Sequence, residues 1–248
     1  EMHRGLNGEA AKKAVYELLG DVGISNPERR YKQYPYEFSG GMRQRVVIAI
    51  ALACKPEILI CDEPTTALDV TIQAQILGIL KRLQEKYELT SIYITHDLGV
   101  VADVADRVAV MYAGDIVEVG TCNEVFYDPQ HPYTWALLSS LPQLGIKGEQ
   151  LYSIEGTPPN LFYEVHGDAF ASRNPHPLKI DFVKCPPMFE VTPTHFARTW
   201  LLDPRSPGVE KPEHIKRLNE KYQELMKKNG ESVSGQEPAR TALEGAAI

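Results

Sequence analysis

Phe38-Ser39-Gly40-Gly41-Met42-Arg43-Gln44-Arg45, then Ile58-Leu59-Ile60-Cys61-Asp62-Glu63-Pro64, then Thr66-Ala67-Leu68-Asp69 and Ile92-Tyr93-Ile94-Thr95-His96-Asp97, follow one another within residues 38–97. Polar clusters recur there at a helix start and at the ends of apolar runs, and this order decides the fold class. Ser39 is a good helix N-cap, and Gly40 and Gly41 leave first-turn amides uncovered ahead of a helical run through Val46, Val47, Ile50 and Ala51. Such a helix start suits an anion, because bare N–H groups and the positive end of the helix dipole coincide. Taken alone, Ser-Gly-Gly reads better as an ordinary capped helix.

The next cluster changes that balance. The continuous apolar run 58–61 predicts a central parallel strand buried on both faces, ending in the carboxylates of Asp62 and Glu63. Ligands of open α/β sheets sit beyond the carboxyl ends of the strands. Asp62 is thus placed to organise Mg²⁺, and Glu63 to accept a proton from an attacking water. Pro64 stops the strand. A second run, 91–95, ends at His96, whose ring can donate a hydrogen bond to a phosphate oxygen. A lone histidine at a strand end is usually structural, but beside Asp62 and Glu63 on an adjacent strand the functional reading is the stronger one.

These segments resemble the motifs of the ATPase subunits of ABC transporters. Residues 39–45 are similar to the signature motif, with Met42 where many members carry Gln. Residues 58–63 are similar to Walker B with its catalytic Glu, 66–69 to the D-loop, and His96 to the H-switch. The resemblance implies an α/β P-loop ATPase core, with a parallel sheet flanked by helices and a helical subdomain. It implies ATP and Mg²⁺ as cofactors, Glu63 and His96 as catalytic residues, and Asp62 as the Mg²⁺ ligand. It further implies a head-to-tail pair with a second ABC ATPase subunit, in which Ser39, Gly40 and Gly41 touch the γ-phosphate held by the opposite subunit and Asp69 works at the shared interface.

A nucleotide-binding P-loop needs G-x-x-x-x-G-K-[ST], and no Gly-Lys pair occurs in these 248 residues. The Gln loop and adenine-stacking aromatic expected from the family are absent too. Two explanations stand: a C-terminal part of a longer protein, or a non-catalytic subunit that lends only the signature half-site to a partner ATPase. The opening at Glu1 rather than Met favours truncation. Without the phosphate cradle, the chain by itself is expected not to hydrolyse ATP.

Composition narrows the class. At 248 residues and 43% hydrophobic, the chain is long enough for one or two domains with real cores. Its net charge of −7 argues against nucleic acid as the main partner. Cys54, Cys61, Cys122 and Cys185 form no C-x-x-C pair, which favours a reduced compartment without a disulfide framework. No apolar run approaches the ~18 residues of a membrane helix.

Outside the motif block, an amphipathic helix is expected from residue 9, with Ala10, Ala14, Tyr16, Leu18 and Leu19 on its apolar face and Gly20 and Gly23 breaking it. Tyr31 to Tyr36 resembles the family's approach to the signature, and this helical region is expected to face the membrane subunits. Ile72, Ile76, Ile79, Leu80 and Leu83 predict a helix capped by Asp69 and ending near Lys86. Asp97 is expected to cap a short helix 98–104 in a structural role. Runs 107–112 and 116–119 predict a hairpin about Ala113-Gly114-Asp115.

Phe126-Tyr127-Asp128-Pro129-Gln130-His131-Pro132-Tyr133-Thr134, ahead of a helix expected over 135–141, resembles the His-Pro-Tyr segment of oligopeptide and dipeptide importer ATPases, and Ile154-Glu155-Gly156-Thr157-Pro158-Pro159 fits the same group. That resemblance implies ATP-driven peptide import, transmembrane permease subunits as partners, an extracellular peptide-binding protein acting indirectly, and a peripheral place on the cytoplasmic face of the membrane. A DNA-maintenance ABC ATPase usually carries a long coiled-coil insertion, and none is visible. Many relatives carry four cysteines resembling iron–sulfur ligands where this chain has Asp168, Asn174, Cys185 and Arg198; one thiolate cannot hold a cluster, so no iron–sulfur cluster is expected. Ile215, Leu218, Tyr222 and Leu225 predict a last amphipathic helix docked on its own domain, and the stretch beyond Lys227 is expected to be disordered. The domains expected are a partial nucleotide-binding domain at 1–125, an irregular C-terminal extension of peptide-transporter type at 126–212, and a helix with its tail at 213–248.

Overall fold

The computed structural model describes residues 5–140 and 154–229, in two compact units, Glu1–Val100 and Val101–Ile248. The first holds α1 (Gly8–Asp21), α2 (Pro27–Arg30), α3 (Gly40–Leu52), β1 (Ile58–Asp62), α4 (Val70–Tyr87) and β2 (Thr90–Ile94), and α5 (Leu98–Val104) begins at its end. The long crossover through α4 lets β1 and β2 pair in parallel, with Ile60 opposite Ile92 and Asp62 opposite Ile94. Leu18 and Leu19 of α1, Ile48 and Leu52 of α3, Ile76 and Leu80 of α4, and Leu59 and Cys61 of β1 share one apolar core.

Local chemistry sets the helix ends. The Ser39 hydroxyl accepts the Met42 amide at 3.3 Å, and Asp69 Oδ1 accepts the Ile72 amide at 3.0 Å. Asp97 Oδ1 accepts from Gly99 at 2.8 Å, and its Oδ2 accepts from Gln73 Nε2 at 3.2 Å, so this residue both starts α5 and ties it to α4. Gly20 does not break α1. It lies within the helix, whose end is marked by Gly23 at φ +77°. Ala10 is exposed, which leaves Leu18 and Leu19 as the buried face.

The expectation that β1 is buried on both faces is corrected. Ile58 and Ile60 are 56% and 64% exposed, and Ile92 and Ile94 on the neighbouring strand are 47% and 50% exposed. Side chains alternate across a strand, and the helices pack only on the side of Leu59 and Cys61. Every second residue of an uninterrupted apolar run therefore faces solvent among the described residues.

The second unit contains β3 (Arg107–Tyr112), β4 (Asp115–Thr121), α6 (Cys122–Tyr127), α7 (Pro132–Ser139), β5 (Phe189–Thr192), β6 (His195–Ala197) and α8 (Glu213–Asn229). Its strands form one antiparallel sheet in the order β3-β4-β6-β5. The expected hairpin closes through two residues, Ala113 and Gly114, both at positive φ (50° and 91°), the primed turn whose twist matches the strands. α7 starts earlier than expected, because His131 Nδ1 accepts the Tyr133 amide and Pro132 fits the first helical position. The expected end of that helix at Leu141 lies outside the described residues.

The last helix docks on its own unit. Ile215 and Leu218 are buried, Tyr222 stacks on Tyr127 with ring centroids 4.7 Å apart, His214 hydrogen-bonds Ser139, and Lys211 pairs with Asp128 at 2.6 Å. Of the stretch beyond Lys227 expected to be disordered, residues 228–229 instead belong to α8, while residues 230–248 and the side chain of Leu225 lie outside what the structure describes. No helix among the described residues is long and apolar enough to cross a membrane.

Candidate functional site

β1 ends at Asp62, and Glu63 continues the ladder by donating its N–H to Ile94 O at 2.9 Å. That brings the loop after β1 beside the end of β2. Glu63 sits at φ +46° and Ala67 at φ +62°, so two non-glycine residues in left-handed backbone flank the turn. Strain of this kind collects where a side chain must be aimed.

The aim of Glu63 is fixed at both carboxylate oxygens. Thr66 Oγ1 donates to Oε2 at 2.7 Å, and His96 Nδ1 lies 2.7 Å from Oε1. The hydroxyl of Thr66 and then the imidazole of His96 hold the Glu63 carboxyl below its ordinary range, while the carboxylate of Glu63 raises His96. With Nδ1 donating to Glu63, Nε2 is the ring atom left for a further partner, and the ring is largely exposed. Asp62 is exposed at the carboxyl end of β1. Among the described residues no group of three or more His, Cys, Asp or Glu converges on a metal position. A single exposed carboxylate nonetheless fits Mg²⁺, which uses one or two carboxylates together with waters and substrate phosphates.

Ser39 and Gly40 are exposed at the start of α3. Gly41 has a second reason to lack a side chain: a Cβ there would lie 2.7 Å from Ile72 Cγ2, so this glycine lets α3 approach α4. Asp69 is spent on capping α4. The structure thus brings Glu63 and His96 together with Asp62 at neighbouring strand ends and places Ser39, Gly40, Gly41 and Asp69 at helix starts. Thr66 and Gln44 escaped the sequence reading as site residues. Thr66, three residues after Glu63, carries the signal of a hydroxyl turn. Gln44, whose Nε2 donates to Pro64 O at 2.9 Å, carries no local signal at all.

In the second unit the His-Pro-Tyr segment is anchored by Glu118. Its buried carboxylate accepts the amides of Gln130 at 2.7 Å and His131 at 3.0 Å and lies 2.7 Å from His195 Nε2. Tyr133 packs with Tyr112 and Phe170, and Trp135 Nε1 donates to Pro129 O at 2.8 Å. Arg173 reaches the carbonyls of Ile154 and Glu155 and so fixes the Glu-Gly-Thr-Pro-Pro segment. Asp168 is pushed up to about 6 by burial, opposed by the Phe170 amide that donates to its Oδ1, reinforced by Asp181 and opposed in turn by Arg198. Arg198 Nη1 points at Cys185 Sγ, 3.7 Å away. One thiol beside a guanidinium, with carboxylate and amide at the other two positions, does not fit the thiolate set of an iron–sulfur cluster.

Comparison with known proteins gives this geometry its class. The ABC transporter family model matches residues 2–66, and the family model described as Oligopeptide/dipeptide transporter, C-terminal region, matches residues 117–179. The proteins to which the chain is strongly similar are ATP-binding proteins of oligopeptide and dipeptide ABC transporters. It is 59% identical over 224 residues to the oligopeptide transport ATP-binding protein AmiE of Streptococcus pneumoniae serotype 4, covering 90% of this chain and 63% of AmiE. It is 62% identical over 215 residues to the oligopeptide transport ATP-binding protein OppD of Bacillus subtilis, covering 86% of this chain and 60% of OppD. With the dipeptide transport ATP-binding protein DppD of Lactococcus lactis it shares 56% identity over 223 residues, covering 90% of this chain and 64% of DppD. The chain thus spans somewhat under two thirds of the length of these relatives.

Proposed function

We propose that the chain is part of the ATP-binding and ATP-hydrolysing subunit of an ABC transporter that imports oligopeptides or dipeptides, working against membrane permease subunits at the cytoplasmic face. The observation that carries this reading is the clamp on Glu63, held by Thr66 and His96 at the end of β1 beside the exposed Asp62. Both the matched family segments and the names of the relatives support the substrate class.

In this reading Glu63 accepts a proton from, or orients, the water that attacks the γ-phosphorus. His96 holds that carboxylate through Nδ1 and offers Nε2 to a phosphate oxygen. Bound Mg²⁺, held in part by Asp62, would supply neutralisation of phosphate charge. Ser39, Gly40 and Gly41 present helix-start amides to the γ-phosphate held by a second, head-to-tail subunit. Asp69 sits at that same interface.

The test is Glu63→Gln in the full-length protein assembled with its permease. Loss of a general base lowers turnover by about 10²- to 10⁴-fold. Nucleotide binding should persist. Hydrolysis at the wild-type rate would sink the role given to Glu63.

A further inference from the structure

Beyond the assignment of Glu63 itself, one contact joins two parts of the candidate site that the sequence keeps apart. Gln44 lies in the second turn of α3, behind Ser39, Gly40 and Gly41, and its side-chain amide donates to the carbonyl of Pro64 at 2.9 Å. Pro64 follows Glu63 directly and is buried, as is Thr65. The turn it belongs to closes on itself, with the Thr66 amide donating to Glu63 O at 3.2 Å and the Thr66 hydroxyl to Glu63 Oε2. Left-handed backbone at Glu63 and Ala67 gives this turn a conformation that neighbouring contacts must hold in place.

We propose that Gln44 is a positioning residue that links occupancy at the start of α3 to the setting of the Glu63 carboxylate. The inference rests on the proposed head-to-tail reading. There, Ser39 and Gly41 meet the nucleotide held by the partner, whereas Glu63 serves the nucleotide held by its own subunit. A shift of α3 on the first nucleotide moves Gln44, and Gln44 pulls on the turn that aims Glu63 at the second. The two sites are thereby coupled through a single hydrogen bond. Because coupling of binding is reciprocal, each nucleotide then strengthens the hold on the other.

The experiment is an ATP titration of steady-state hydrolysis by the full-length transporter carrying wild-type Gln44, Gln44→Met or Gln44→Glu. Methionine keeps length and helix preference but removes the donor; glutamate keeps the shape and turns the donor into an acceptor. The wild type is expected to show a Hill coefficient above one. Both variants should bring it towards one and lower kcat by about three- to tenfold, the range expected for one partly buried hydrogen bond. In a Glu63→Gln background, where turnover is slowed, binding of the first nucleotide should change by less than about twofold, whereas the tightening of the second by the first should be lost.

A folded Gln44→Met protein with unchanged Hill coefficient overturns the proposal even if kcat falls, because a merely structural role lowers rate without removing coupling. A wild-type Hill coefficient of one overturns it as well. Failure of the underlying reading is separately visible, since Glu63→Gln would then hydrolyse ATP whatever stands at position 44.

Discussion

His96 Nδ1 lies 2.7 Å from Glu63 Oε1, joining the residue after β1 to the residue two beyond β2. The carboxylate favours the imidazolium, so His96 titrates above its ordinary value of 6.5. The pair's stabilisation is fully present between the ordinary 4.5 of Glu63 and pH 6.5, and is lost as pH rises through the elevated value of His96 or falls through the lowered value of Glu63. Histidine-selective NMR over a pH series should place the His96 midpoint above 6.5, and Glu63→Gln should lower it. An unmoved midpoint in Glu63→Gln would contradict the contact.

Gly41→Ala tests packing apart from phosphate binding. The added methyl meets Ile72 Cγ2 at 2.7 Å, and relieving that overlap should cost about 1–3 kcal/mol. Denaturant unfolding of Gly41→Ala, Ile72→Ala and the double variant forms a cycle. The double variant should be less destabilised than the two single changes together.

Removing the Glu118 carboxylate orphans buried donors. In Glu118→Ala the amides of Gln130 and His131 lose their acceptor and His195 Nε2 loses its partner. A loss of at least about 1–3 kcal/mol is expected. It should register as earlier unfolding of the second unit, followed through Trp135 and Trp200 fluorescence. A transition at the wild-type denaturant concentration would show that the anchor is dispensable.

Acidification should destabilise the second unit. Burial depresses His131 to about 3, so between there and its ordinary 6.5 the unfolded chain binds the proton that the folded one refuses. Glu124, held at about 2 by hydroxyls of Thr192, Thr194 and Thr121 and the Thr121 amide despite partial burial, adds a further loss as pH falls below its ordinary 4.5. Asp168, raised to about 6, works in the opposite sense between there and 3.8. Thermal unfolding at pH 7 and pH 4.5 should show a lower Tm in acid, and Asp168→Asn should widen the gap.

Features written in short spacings were legible in the sequence. Ser39, Asp69 and Asp97 cap helices because an acceptor two or three residues ahead of a bare amide is a local matter. The crossover from β1 to β2 likewise follows from two apolar runs separated by one helical stripe. Contacts that depend on where distant segments land were not legible. Gln44 reaches Pro64 across 20 positions, and Glu118 meets His195 across 77, with nothing in either neighbourhood to announce it. Gly41 was readable as an anion-site glycine, but its contact with Ile72 emerges only when α3 lies on α4.

The open row of Ile58, Ile60, Ile92 and Ile94 bears on how this chain behaves on the bench. Fluorescent dyes such as ANS light up on contact with apolar surface and are commonly used to diagnose loosened, molten states. Here the open face of the β1-β2 pair offers that surface beside a packed core. Dye fluorescence from these 248 residues would therefore be compatible with intact tertiary structure, and near-ultraviolet circular dichroism is the signal that separates a folded preparation from a collapsed one.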